Sequence, residues 1–317
     1  MIAARHAPIL ITTALFVALF VLGSVQYEGF GTVHVFLNLF TDNAYLAVTA
    51  IGMTFVILSG GIDLSVGSVI AFTGVLTAIL IQSGWPPYVV FPLVLAIGWA
   101  FGAGMGCLIH CYKLQPFIVT LAGMFLMRGL AIVISERSVP IEHAAYDAIN
   151  TMGIILPGRG FVGAQTLLLA IVLACAIILA HYRRFGTYVY AIGGDAESAR
   201  LMAVPVANTT IRIYALSSFL AALAGIMFSF YTSSGYALAA VGLELDAIAA
   251  VVIGGTLLTG GSGYIVGTVV GVMLMGLVQT YISFNGSLNS WWTKIVIGVL
   301  VLAFVCVQRI QRPREDN

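Results

Sequence analysis

Apolar residues in this chain are gathered into long runs with no alternation and no polar stripe. Ten runs stand out, at approximately 8–26, 44–59, 66–82, 88–109, 117–134, 164–180, 213–231, 246–259, 264–282 and 291–308. A helix that crosses the hydrocarbon core needs roughly 20 apolar residues, and a helix apolar around its whole circumference belongs in lipid or in a buried core. The pattern predicts an all-α integral membrane protein with about ten transmembrane helices in a single domain over residues 1–317. The runs at 44–59 and 246–259 are short and end in Gly pairs, so both helices are expected to be bent or partly unwound. The first run follows Arg5 but lacks a small-residue cleavage site, and is read as an uncleaved first span. The longest stretches between runs are 135–163 and 181–212. Neither carries a low-complexity linker or the start of a separate domain.

Composition narrows the class. The chain is 61% hydrophobic and 8% charged, where soluble domains average roughly 45–50% and about 25%. A soluble enzyme is excluded, as is a disordered chain, which needs low hydrophobicity. A net charge of +1 gives no basic surface for nucleic acid. The placement of the 13 Lys and Arg sets an orientation. With the N-terminus in the cytoplasm, Arg5, Lys113, Arg183, Arg184, Arg200, Arg212, Arg309, Arg312 and Arg314 fall on inner segments, and Arg137 and Arg159 on outer ones. That bias places both termini inside, as ten spans require. Cys107 and Cys111 lie near the inner end of the fourth run, and Cys175 and Cys306 lie within apolar runs, so no disulfide is expected. The five His are scattered and have no metal-ligand spacing.

One motif occurs twice. Gly60-Gly61-Ile62-Asp63-Leu64-Ser65-Val66-Gly67-Ser68 and Gly254-Gly255-Thr256-Leu257-Leu258-Thr259-Gly260-Gly261-Ser262 share five identical positions, 194 residues apart. Five span-lengths separate them, an odd number. The halves, roughly 40–160 and 210–308, are therefore expected to be inverted copies, a pattern of transporters built on interrupted helices. Gly60, Gly61, Gly254 and Gly255 can end a helix in conformations closed to other residues, and Asp63 or Ser65 can cap the next one. Unwound backbone at membrane depth is tolerated only inside protein or beside a water-filled cavity. Gly60, Gly61, Asp63, Ser65, Gly254, Gly255, Thr259 and Gly261 are thus candidates for junctions along a translocation path; the plainer reading is a capped inner turn. Gly98, Gly102 and Gly106, like Gly263, Gly267 and Gly271, recur every four residues and suit close helix packing.

The chain has no G-x-x-x-x-G-K-[ST] phosphate loop and no dense set of intramembrane carboxylates. Arg128 lies within a span and is read as snorkelling or making a structural hydrogen bond. Lys294, next to Trp291 and Trp292, is read as an interface anchor. The inner segment 181–212 is the one with room for a partner contact. In it Asp195 is a plausible N-cap, residues 196–204 have helical character, and Pro205 stops them. Such a helix either docks into a partner or lies on the membrane surface.

At these residues the chain resembles the bacterial ribose/xylose/arabinose-type ABC sugar-importer permeases. The likeness is carried by Gly60–Gly67, by Tyr190-Ala191-Ile192-Gly193-Gly194 and by Gly254-Gly255-Thr256 through Gly263, and extends over about residues 40–308. Residues 52–59, 209–214, 244–249 and 291–295 are most similar to members that import galactofuranose. The resemblance implies a permease subunit with no chemistry of its own and no cofactor, ATP and Mg being held by a separate cytoplasmic ABC ATPase. It also implies a second, related permease in a heterodimer, a periplasmic sugar-binding protein, and a lipid-embedded site in the bacterial inner membrane. Gly194, Asp195, Ala196, Glu197, Ser198, Ala199, Arg200, Leu201 and Met202 become an ATPase-coupling helix. The outer loop 135–163 and the segment 242–246 become docking candidates for the binding protein, although Glu244 and Asp246 also suit capping of the eighth run. Asp195 stands where Asn is usual, and Ala203-Val204 where Gly-Ile or a similar pair is usual. By residue type alone, Asn43, Thr54, Phe55, Phe72, Phe125 and Tyr231 are pathway candidates. Another pentose or hexose such as ribose is the alternative substrate, and an ion-coupled secondary carrier the alternative mechanism.

Overall fold

The computed structural model describes residues 2–156, 160–289 and 291–310. Arg159, Arg312 and Arg314, three of the charges used to orient the chain, lie outside the described residues. The helices are α1 (Ile2–Gln26), α2 (Val33–Asp42), α3 (Ala44–Leu58), α4 (Val66–Gln82), α5 (Pro87–Cys111), α6 (Pro116–Ile134), α7 (Ala144–Thr151), α8 (Ala164–Ile177, continued by a π-helical stretch Ile178–Tyr182), α9 (Arg184–Gly194), α10 (Ala196–Leu201), α11 (Val206–Thr232), α12 (Leu243–Ile253), α13 (Ile265–Asn285) and α14 (Trp291–Ile310). Two small antiparallel ribbons accompany them. One joins β1 (Val139–Pro140) to β4 (Ser234–Gly235), and the other β2 (Gly153–Leu156) to β3 (Gly160–Gly163).

Each of the ten apolar runs falls on a helix. By length and hydropathy six are able to cross a membrane: α1, α5, α6, α8 with its π-helical end, α11 and α13. A seventh is counted if α2 and α3, bent by 54° where they meet, form one broken span. The expected ten is therefore not what helix length supports. For α3 and α12 the physical reason lies in the glycines, while α4 and α14 are also apolar helices below the spanning length over their described residues. α3 ends before Gly60 (φ +82°) and α12 before Gly255 (φ +92°), both short of spanning length. The loop 135–163 is a folded cap holding α7 and the β2–β3 ribbon.

The core is built around α11, which packs against α5, α3 and α4. Every residue of α3 except Tyr45 is buried. The small-residue stripe of α5 explains its close approach to α11: a Cβ on Gly98 would come 2.6 Å from Ala222 Cβ, and one on Gly106 2.7 Å from Ile211 Cα. Gly267 and Gly271 of α13 meet Gly254 and Ala250 of α12 in the same way. Both stripes serve packing. α1, α6 and α8 bury little of their surface, in contrast to α11 and α13.

This packing gives a paired test. A side chain at Gly102 would run into the Tyr214 carbonyl and lie 2.7 Å from Ser218 Cβ, whereas Gly104, half a turn away, faces open space. Gly102→Leu is expected to destabilise by at least the 1–3 kcal/mol typical of overpacking, and Gly104→Leu to have no effect. Thermal melts of the detergent-solubilised protein followed by size-exclusion fluorescence check both.

Candidate translocation and coupling site

The two copies of the repeated motif end their helices in the same way. After α3, Gly60 N–H donates to Ile57 O (2.9 Å) and Gly61 N–H to Val56 O (3.0 Å). After α12, Gly255 N–H donates to Val252 O (2.9 Å) and Thr256 N–H to Val251 O (3.1 Å). This is the paired bonding of a Schellman cap, which satisfies carbonyls that a helix end leaves open. The backbone equivalence matches Gly60 to Gly255, one residue out of register with the sequence alignment.

These two ends meet each other, and a third glycine segment meets both. Gly261 N–H donates to Leu58 O (2.9 Å), so the loop after α12 hydrogen-bonds the last turn of α3. A Cβ on Gly260 would lie 2.8 Å from Gly60 N, and one on Gly261 3.1 Å from Gly194 Cα. A Cβ on Gly193 would collide with the Leu58 carbonyl. The Tyr190 hydroxyl donates to Gly263 O (2.8 Å) and its ring stacks near His181. Thus Gly60-Gly61, Gly193-Gly194 and Gly260-Gly261, far apart in sequence, are in backbone contact. Thr259 is at the exposed edge of this junction.

Asp63 and Ser65 hold the next turn. Asp63 is fully buried. Its Oδ1 accepts from Ser65 N (2.9 Å) and Ser65 Oγ (2.6 Å), and its Oδ2 from Ser217 Oγ of α11 (2.8 Å). A buried carboxylate is tolerable when its lone pairs are hydrogen-bonded, and here the bonds tie the start of α4 to the central helix.

The segment expected to couple to an ATPase leaves this junction directly. Asp195 Oδ1 accepts from Ser198 N (2.6 Å) as the N-cap of α10. The Ser198 side chain and amide together hold the Asp195 carboxyl below the usual carboxylate range. Ala199 is buried, while Leu201 and Met202 are 84% and 70% exposed. α10 ends at Leu201, earlier than the predicted 204, because Ala203 adopts φ +60°. A Gly-Ile or similar pair is usual at 203–204 in the sequences this chain resembles, and a left-handed conformation is costly for a residue with a Cβ.

At the opposite end of α3, about 22 Å away for 15 residues at 1.5 Å each, lies a polar cleft of about 310 Å³. Among its lining residues are Asn38, Asp42, Asn43, Tyr45, Tyr231 and Gln279. A second cleft of about 350 Å³ shares Asn43, Tyr45 and Gln279 and reaches Trp291, Asp246 and Lys294. Lys294 Nζ pairs with Asp246 (2.6 Å), which joins α14 to α12. Glu244 Oε1 accepts from Gly242 N (3.2 Å) at the start of α12. Arg128 Nη1 donates to the Ala237 and Ala239 carbonyls, both at 2.6 Å, which is the structural hydrogen bond favoured for it.

Of the six residues chosen by type, Asn43 and Tyr231 line the cleft. Thr54 is buried and bonded to Thr268 of α13 (2.7 Å). Phe55 packs in the core against Phe185 (5.9 Å). Phe72 is buried in α4, and Phe125 is exposed on α6. The structure does not bring these four together with Asn43 and Tyr231. Asp42, Asn38 and Gln279 were missed. Gln279 and Thr280 had a readable signal, as polar residues inside an otherwise apolar run.

A bundle of long apolar helices interrupted by glycine turns, with a polar cleft at one end, has the build of a membrane permease. The chain belongs to the family described as branched-chain amino acid transport system / permease component, which matches residues 35–305. It is 56% identical to the inner membrane ABC transporter permease protein YjfF of Escherichia coli over 96% of this chain and 92% of that protein. The fructose import permease protein FruG of Bifidobacterium longum is 38% identical over 95% and 90% of the two chains, and the ribose import permease protein RbsC of Escherichia coli 37% over 90% and 88%. No solved structure matches the chain.

Three substitutions, in two predictions, test the junction and the end of α10. Gly193→Ala should lower the melting midpoint, at a cost on the order of 1–3 kcal/mol, whereas Gly194→Ala should be silent because its Cβ would meet nothing within 4 Å. Ala203→Gly should leave stability unchanged or raise it by up to about 1 kcal/mol, the relieved strain being partly offset by the freer unfolded chain. Melts of the purified variants decide both.

Proposed function

We propose that this chain is the membrane-spanning permease subunit of an ATP-driven importer that carries a monosaccharide inward, with galactofuranose the substrate. The reading rests on one observation above all. The segment leading into α10 is in backbone contact with the end of α3, and the other end of α3 lines the polar cleft. A partner that pushes on α10 therefore acts on a buried rigid helix whose far end faces the path. Such rigid-body gating draws its energy from differential contacts in two states.

In this reading Gly194–Met202 dock into a cytoplasmic ABC ATPase that binds ATP and Mg, with Leu201 and Met202 as the apolar contact. Gly60, Gly61, Asp63, Ser65, Gly254, Gly255, Thr259 and Gly261 form the junctions that transmit the movement. A second, related permease completes a heterodimer, and a periplasmic binding protein delivers the sugar to the end bearing the cleft and the 135–163 cap. Both termini are cytoplasmic in the inner membrane, and the short helices α3, α4, α12 and α14 bring the six long spans to ten crossings in two inverted halves. The matched Schellman caps support that repeat. So does the exchange of neighbours, in which α1 packs on α13 and α11 on α4. The import permeases for fructose and ribose among the relatives support a sugar substrate. The likeness of residues 52–59, 209–214, 244–249 and 291–295 supports galactofuranose over ribose.

The test is affinity purification from the native membrane in mild detergent, followed by reconstitution and uptake of labelled galactofuranose and ribose. Recovery of an ATPase and a second permease, with ATP-dependent galactofuranose uptake, is the expected result; uptake driven by an ion gradient without ATP would overturn the reading. In the same vesicles Leu201→Asp should cut sugar-stimulated ATP hydrolysis and uptake at least tenfold while the chain remains membrane-inserted.

A further inference from the structure

The polar cleft at the start of α3 has an unusual inventory of free hydrogen-bonding atoms. Asp42 sits at the end of α2, within electrostatic reach of His34 but in no salt bridge among the described residues, and Gln279 projects from α13. Among the described residues neither the Asp42 carboxylate nor the Gln279 amide has a hydrogen-bond partner. The neighbouring polar groups already direct their hydrogens elsewhere. Thr280 Oγ1 donates to Gly276 O (3.0 Å), Ser283 Oγ to Gln279 O (3.0 Å) and Asn43 Nδ2 to Leu39 O (2.9 Å). Their oxygens therefore remain as acceptors. The cleft thus offers acceptors on Asp42, Asn43, Thr280 and Ser283, with the Gln279 amide and the Tyr45 and Tyr231 hydroxyls able to donate as well. Its aromatic lining is Phe284 and the pair Tyr45 and Tyr231, whose ring centroids are 6.1 Å apart.

A ligand that matches this set is rich in O–H donors, carries no negative charge and has an apolar ring face. An anion is disfavoured by Asp42. A lipid tail is disfavoured by the polar lining, in contrast to the wholly aliphatic and aromatic groove between α1, α13 and α14. The volume of about 310 Å³ is at the small end of ligand pockets, which suits a single small ring.

We infer that the cleft between α2, α3 and α13 is a transit site for one neutral monosaccharide, with Asp42 and Gln279 accepting and donating to its hydroxyls and Tyr45 and Tyr231 covering its ring. The inference rests on the importer reading above and adds to it where the sugar is held. The exposure of the polar groups makes the site a weak one, as a path requires: binding must be favourable enough to enter and loose enough to leave. The second cleft, which shares Asn43, Tyr45 and Gln279, is the adjoining position, bounded by the Asp246–Lys294 pair.

The test uses the complete importer in liposomes with saturated binding protein and ATP. Gln279→Ala and Asp42→Asn are expected to cut uptake of labelled galactofuranose at least tenfold, with basal ATP hydrolysis within twofold of wild type. In a background with Cys107, Cys111, Cys175 and Cys306 replaced by Ser, Ser283→Cys is expected to react with a membrane-impermeant methanethiosulfonate at least threefold more slowly during sugar turnover. Glu28→Cys, exposed outside the cleft, is expected to react at an unchanged rate. Wild-type vesicles that take up neither galactofuranose nor ribose overturn the importer reading and this assignment with it. Wild-type uptake with both cleft variants within twofold, and no protection at position 283, overturns the transit site alone. If a variant fails to assemble, protection at position 283 decides by itself.

Discussion

Leu58 closes a helix that is buried on every side, and its carbonyl accepts a hydrogen bond from Gly261, more than two hundred residues further along the chain. A helix that stops inside an apolar bundle leaves carbonyls that neither lipid nor water can satisfy. Here the satisfaction comes from the backbone of the other half of the chain. Any side chain on Gly193, Gly260 or Gly261 would hold the strands of this junction apart. The repeated glycines are therefore required by closeness as well as by φ. The arrangement also fixes what can move. α9 cannot shift without carrying the end of α3, because no compressible layer of side chains lies between them.

The two junctions share a cap yet are held differently. At the first, Asp63 reaches α11 through Ser217 and holds Ser65 by both amide and hydroxyl. At the aligned place in the second stands Leu257, and in the backbone register Leu258, which is partly exposed. Side-chain hydrogen bonds lock the first junction to the bundle core. The second is held by main-chain contacts with the first and with α9, and by the hydroxyls of Thr12 on Ile253 O and Tyr190 on Gly263 O, with no carboxylate. The segment that leads into α10 is thus attached where the bundle has main-chain contacts but no carboxylate lock.

Most of the helical framework was legible because a membrane or a buried core demands long apolar runs, and all ten runs became helices. The glycine stripes on α5 and α13 were legible as packing for the same reason: spacing by four puts small residues on one face. The junction at residues 60 and 254 was visible as a repeat, but its true register was not. Sequence alignment pairs the first glycines, whereas φ and hydrogen bonding pair Gly60 with Gly255. The contact of Gly193 with Leu58 was invisible, since nothing in local sequence says which distant backbone a glycine meets. The Asp246–Lys294 pair was hidden by its 48-residue separation.

The choice of pathway residues by type shows why transport sites are hard to read from one sequence. Thr54 and Phe55 belong to the most completely buried helix of the molecule, so their side chains are committed to Thr268 and Phe185. Phe125 lies on a face that α6 leaves open to its surroundings. A residue can serve a passing solute only if its polar atoms are both exposed and free. Exposure depends on which helices end nearby, and freedom on whether a carbonyl four residues back has taken the hydrogen. Asn43 and Tyr231 meet the first condition because α2 and α3 bend apart at Asn43, by 54°. That bend opens the wall beside Asp42 and Gln279. The same chain breaks that shorten α3 below spanning length therefore supply both the backbone contact at one end and the polar opening at the other.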